Sequence, residues 1–387
     1  MTSHNPPEKL SELEQLLPKS GSDPRIIRDS ESKVDRLRAW MSANRWDAVL
    51  ISRRENFAWL TTGGDNHVLK NTELGVGHLL ITPEKKYVLA HPMDGIRLQE
   101  MQLAGQDYEL KTLSWHEGDP RSLAAELAGK RIAADTMYPG TTDAATAIDQ
   151  LHEPLTNLEI DRCRWLGLQT ALLIESIAEW AMPSLTEKEV ERYVRNLFLD
   201  HKIELDVMLV GSDERIHRIY HCMPSNKKIE RYFLMNPSAR RWGLHANVNR
   251  CISFGEPPEK VKRDHRAALE IEGRVLCSLE PGLSYSKILE MEKGWYRELG
   301  YPDEWKNHFQ GGPTGYRLAD AYRCFTDQSV QARQSFDWFL TIHGLQVEEL
   351  TLWGDAGLEI LSSGLRWPLT PITWNGKTFQ LPTLYVK

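Results

Sequence analysis

The chain has 387 residues, 41% hydrophobic and 26% charged, with 13 Trp and a formal net charge of -7. Its length suggests two domains, each able to bury its own core, and its composition excludes a disordered, fibrous or repeat chain. Charges of both signs are interspersed without a Lys/Arg-rich stripe, which speaks against nucleic acid as a partner, and five scattered Cys without a C-x-x-C pair speak against a disulfide framework or a zinc cluster.

A polar lead occupies residues 1–29. In SKVDRLRAWMSANRW, residues Val34, Leu37, Trp40 and Met41 fall on one helical face, and DAVLIS follows as a short buried strand. HLLITPEKKYVLAH has the pattern of a hairpin turning at Pro83, Glu84 and Lys85, and RIAADT is a further strand. Residues 30–157 therefore alternate helix and strand, as an α/β domain would.

From Asp161 a long amphipathic helix is expected, then a second helix opened by the capping pair Thr186 and Glu189. Strands follow in DVMLVGS, RYFLMNPSA and HANVNRCISF, then two helices near 260–300 and β-rich runs near 335–353. The repeated order of two helices and then strands suggests that residues 158–387 form a duplicated α/β unit around one mixed sheet. No run approaches the roughly 20 apolar residues of a membrane span, and the start has no signal-peptide-like segment. The chain is expected to be soluble and cytoplasmic, without membrane partners.

Five segments in order, SRRENFAWLTTGG, YHCMP, LMNPSARRWGLHANVNRCISF, HFQGGPTGY and WFLTIHGLQVEELTL, resemble the pita-bread family of methionine aminopeptidase, Xaa-Pro aminopeptidase, prolidase and creatinase. The resemblance implies an N-terminal creatinase-like α/β domain and a C-terminal pita-bread catalytic domain. In metal-dependent members an Asp, a second Asp eleven residues later, a His before a Gly-rich turn and two late Glu hold two divalent ions. Here those positions fall on Asn236, Asn247, His308, near Phe339, and on Glu348. Asn and Phe cannot supply the anionic oxygens that two cations need, so neither a metal nor another cofactor is expected.

Creatinase, which has likewise lost these ligands, hydrolyses a C–N bond with a His as proton shuttle. On that resemblance His221 moves the proton, an imidazole being the side chain that titrates nearest neutrality, while Glu348 and His308 hold substrate or water. Asn236, His245, Asn247, Asn249, Phe339 and Arg54 are the candidate substrate contacts. Glu348 and Glu349 are adjacent in a strand, so only one can face the pocket.

The function implied is a metal-independent hydrolase or lyase acting on a C–N bond of a small amino-acid-like, amidine-like or peptide-like substrate. The alternatives are an inactive binding module and a metal-dependent Xaa-Pro aminopeptidase of unusual ligation. In relatives the loop holding Arg54, Asp65 and His67 reaches toward a neighbouring subunit, which implies a homodimer. Glu280 of SLEPG imitates a ligand turn, yet it precedes His308 whereas the family's ligand follows it. HFQGGPTGY lacks the Lys-Ser/Thr of a phosphate loop.

Overall fold

A computed structural model describes residues 8–387. They form two compact units, one of residues 15–158 with 242–244 and the other of the remainder. The first unit runs α1 (Glu8–Leu16, shared with the second), α2 (Pro24–Asn44), β1 (Ala48–Arg53), α3 (Arg54–Leu60), β2 (Leu74–Ile81), β3 (Lys86–Ala90), α4 (Pro92–Arg97), β4 (Glu109–Thr112), α5 (Ala124–Leu127), β5 (Ile132–Ala134), β6 (Thr141–Asp143) and α6 (Ala145–Gln150). Its sheet has the order β4-β3-β2-β1-β5-β6, so β1 is central, and its residues 48–52 are fully covered.

The lead is more ordered than its polarity suggests. It contains α1, and α2 begins at Pro24, where the Asp23 side chain accepts from the Arg25 N–H and a proline occupies the first turn, a combination that favours helix initiation. Val34, Leu37 and Met41 are buried on the expected face, whereas Trp40 is only half-buried.

The second unit continues with α7 (Asn157–Trp180), α8 (Glu187–Asp200), β7 (Glu204–Ser212), β8 (Tyr232–Arg241), β9 (Leu244–Asn247), β10 (Arg250–Ser253), α9 (Glu259–Ser278), α10 (Tyr285–Glu298), β11 (Gly311–Thr314), β12 (Gln334–Ile342), β13 (Leu345–Gly354), β14 (Gly357–Ile360), β15 (Leu369–Trp374), β16 (Lys377–Pro382) and β17 (Tyr385–Val386). Helix α8 opens on a complete capping box between Thr186 and Glu189. Helices α9 and α10 cover the late strands through a core that includes Leu276, Trp295, Tyr296, Phe336 and Leu340.

The strands do not form the one continuous mixed sheet that their order suggests. One sheet has the order β17-β10-β8-β7, with β9 on β8, and another is β11-β12-β13-β14. A strand has only two edges. β10 gives its edges to β8 and β17, and β13 gives its edges to β12 along its length and to β14 from Thr351 onward. Among the described residues the central strands of the two sheets meet at an isolated antiparallel bridge, Asn249 to Glu348, in which the Asn249 N–H donates to the Glu348 carbonyl at 3.2 Å.

Candidate active site

Beside that bridge lies a cavity of ≈ 340 Å³. Opposite strands supply its walls in register. Leu209 of β7 pairs with Asn236 of β8, Phe339 of β12 pairs with Glu348 of β13, and all four side chains line the space. Asn247 closes one side, and His221 and His308, from loops before β8 and β11, stand at the mouth.

The two imidazoles meet through their Nε2 atoms at 3.1 Å. His308 Nδ1 lies 2.9 Å from the Phe309 carbonyl, an oxygen that can only accept, so Nδ1 carries the proton. Burial, with the nearby His221 adding to it, holds the His308 pKa below its ordinary value. A neutral His308 protonated at Nδ1 presents a bare Nε2. His221 Nε2–H therefore donates to it, which leaves Nδ1 of His221 as the proton-accepting atom of the pair. Phe339 stands edge-on to His308, with ring centroids 5.4 Å apart, and so fixes the plane of the ring.

At the floor, Asn236 Nδ2 donates in a short hydrogen bond to Glu348, which also accepts from Gln346 Nε2 at 2.9 Å. Glu349 faces the other way, into a buried pair with Arg250. The pleat of β13 thus separates the two neighbours, and Glu348 is the one on the cavity. Asn247 Nδ2 donates to a further carboxyl, Asp337, which family register does not indicate. It lies two residues before Phe339 on β12, hence on the same face of the strand. That spacing was the available signal.

Burial raises the Asp337 pKa to about 7, against the Asn247 amide, which lowers it. Burial, reinforced by Asp337, also pushes Glu348 well above the carboxylate range. A raised folded-state pKa means that the folded chain binds the proton more strongly, so the contribution to stability is complete below the unfolded value near pH 4 and is lost as pH rises toward about 7. Glu348 and Glu272 shift in the same direction. Asp337→Asn is therefore expected to flatten, though not abolish, the fall in Tm between about pH 4 and 7. Thermal melts across that range check this, and an unchanged slope would place the titration elsewhere.

The other expected contacts are placed differently. His245 is buried and held between the Gly315 carbonyl at 2.9 Å and Asp206 at 3.1 Å, outside the set lining the cavity. Asn249 is buried at the bridge, and neither atom of its side-chain amide has a hydrogen-bond partner among the described residues. Arg54 opens α3 in the first unit, and in the same unit Asp65 closes on His67. Arg240 pairs with Glu204 and Asp206, and Arg241 lies 4.4 Å from the Trp165 ring centroid. The glycines after His308 admit protein backbone. A Cβ on Gly311, which has φ +102°, would come within 2.3 Å of the Asp337 carbonyl.

A pair of divalent cations needs several anionic oxygens free to point at it. Here each of the two amide NH₂ groups points at one oxygen of a carboxyl, Glu348 Oε2 and Asp337 Oδ2, and N–H donors facing inward would repel a cation. Among the described residues no three His, Cys, Asp or Glu side chains are grouped to hold a metal ion. The donor set does not fit a dinuclear centre.

Residues 164–332 match the model of metallopeptidase family M24. The chain has the pita-bread fold, and its middle part is similar to the M24 peptidases. It is 22% identical over 300 residues to a Xaa-Pro dipeptidase of Pyrococcus horikoshii, covering 74% of this chain and 82% of that one. Its fold superposes on the Xaa-Pro dipeptidase from Bacillus anthracis with a TM-score of 0.71 at 16% identity, covering 92% of this chain and 100% of the other. It also superposes on the N-terminal domain of FACT complex subunit SPT16 from Cicer arietinum, at 0.65 and 13% identity, covering 87% and 97%. Among the described residues, no helix is long and apolar enough to cross a membrane.

Proposed function

We propose that the chain is a metal-independent hydrolase or lyase that cleaves a C–N bond in a small peptide-like, amino-acid-like or amidine-like substrate. The observation that carries this reading is the His221–His308 contact at the mouth of a cavity with the Glu348 carboxyl on its floor. His221 Nδ1 takes the proton from an attacking water, and the resulting imidazolium keeps its Nε2–H bond to His308. The protonated Glu348 donates a hydrogen bond to charge that develops on the substrate oxygen. His221 then returns its proton to the departing nitrogen. Likeness to Xaa-Pro dipeptidases supports the C–N bond as the target.

The test is a screen of the purified protein against imidodipeptides, amidines and modified amino acids, with and without EDTA. Cleavage that survives EDTA is the expected result, together with far less than one Mn, Co, Zn or Fe per chain by elemental analysis. One or two ions per chain, with activity lost to chelation, would instead support a metal-dependent aminopeptidase of unusual ligation.

A second reading is a binding module without turnover, which would emerge as ligand binding with no cleaved substrate in the whole screen. A homodimer in which Arg54 serves the partner's pocket belongs to the same proposal. Sedimentation should then give a dimer, and Arg54→Ala should weaken ligand binding in a folded chain. A monomer that binds fully would refute it.

A further inference from the structure

Behind His308 lies a second cavity, of ≈ 130 Å³, that shares His308 and Phe309 with the first. Its walls are largely aromatic, including Tyr285, Trp305, Phe325 and Trp338, and Leu289 adds a further apolar surface. Into this lining α10 brings Glu292, which is 1% exposed and whose Oε1 has no hydrogen-bond partner among the described residues. The obvious local donor is turned away, because the Tyr285 hydroxyl donates to Gln334 Oε1 at 2.8 Å.

A buried carboxyl oxygen without a partner costs free energy, and a chain that keeps one at a cavity wall has a use for it when the complementary group arrives. We propose that this cavity is a binding site for the ammonium group of a small alkylamine, with Glu292 as its acceptor and the aromatic rings as its walls. Burial holds the Glu292 pKa well above its ordinary value, and an arriving ammonium, which gains from the ring faces as well, favours the carboxylate form; cages of this composition suit ammonium groups.

The other titratable groups around the space leave room for that charge. Lys306 is turned outward to Asp303, and its side chain is 57% exposed. Lys293 lies against Trp305, 4.6 Å from the ring centroid, and pairs with Glu290 at 2.6 Å. Cys324 is kept in the thiol form by burial, and His308 is kept neutral. The proposal does not depend on the first cavity being catalytic.

Isothermal titration at pH 7.5 with n-butylammonium chloride, against n-butanol as the uncharged probe of the same shape, tests it. The wild-type chain should bind the ammonium about tenfold or more tightly than the alcohol. Glu292→Gln, nearly isosteric, should remove that preference, and Leu289→Trp, which fills the space, should prevent binding of both probes. His221→Ala should bind the amine as the wild type does, so failure of the hydrolase reading would leave this result intact. Equal affinity for the two probes, binding of neither, or an undiminished preference in Glu292→Gln would overturn the proposal.

Discussion

Replacing His221 with alanine should lower turnover of the true substrate by roughly 100-fold to 10,000-fold, the usual worth of general acid–base assistance, while changing substrate affinity only several-fold. No other group at the mouth can substitute. His308 commits Nδ1 to the Phe309 carbonyl and turns Nε2 toward His221, and burial pushes the Glu348 carboxyl on the floor well above the carboxylate range. His308 orients its neighbour, so His308→Gln should reduce kcat less than His221→Ala and should shift the pH profile. His245→Ala should do little to kcat, because His245 is engaged with Asp206 and Gly315. Normal turnover by His221→Ala together with a dead Glu348→Gln would make the carboxyl the base.

The largest expected effect on stability belongs to Arg250. Its guanidinium lies beneath the cavity, 3% exposed, and donates to Glu349, to the Asn249 carbonyl at 2.8 Å and to the Ser362 carbonyl at 2.6 Å. Glu272, Glu348 and Asp337 are buried nearby and act electrostatically on one another. Removing the one cation would leave Glu349 uncompensated among them. Arg250→Met should therefore cost roughly 3–5 kcal/mol, the scale for breaking one side of a buried pair. Denaturant unfolding measures this. Arg250→Met with Glu349→Leu should recover much of the loss, since the pair as a whole is far less valuable than either charge left alone. A loss in the single variant below about 1 kcal/mol would mean that Glu349 simply takes up a proton.

What could be read from the sequence was local. The capping box at Thr186 and the hairpin of β2 and β3 are specified by residues a few positions apart, and both appear in the fold. Pairings across the chain were harder to see. The alternation of His245, Asn247 and Asn249 suggests one face, but β9 ends at Asn247 and Asn249 belongs to the bridge. Asp337 is hidden in the sequence because the family's ligand register falls on Phe339, its neighbour on the same face. Glu292 looks like surface charge in LEMEKG, although its spacing from Ile288, Leu289, Trp295 and Tyr296 places it on the apolar stripe of α10. Burial of a charged residue on such a stripe is set by the partners that fold over it, which a single segment cannot reveal.

The join between the two half-sheets uses the Asn249 N–H and the Glu348 carbonyl, groups that every residue other than proline carries. That backbone bond asks nothing of the side chains beside it, which can change while it stays in place. A lineage could exchange carboxylates for amides on this floor, or move a carboxyl two residues along β12, without unfastening the architecture that displays them. The same geometry that once suited one chemistry would then remain as a ready mould for another.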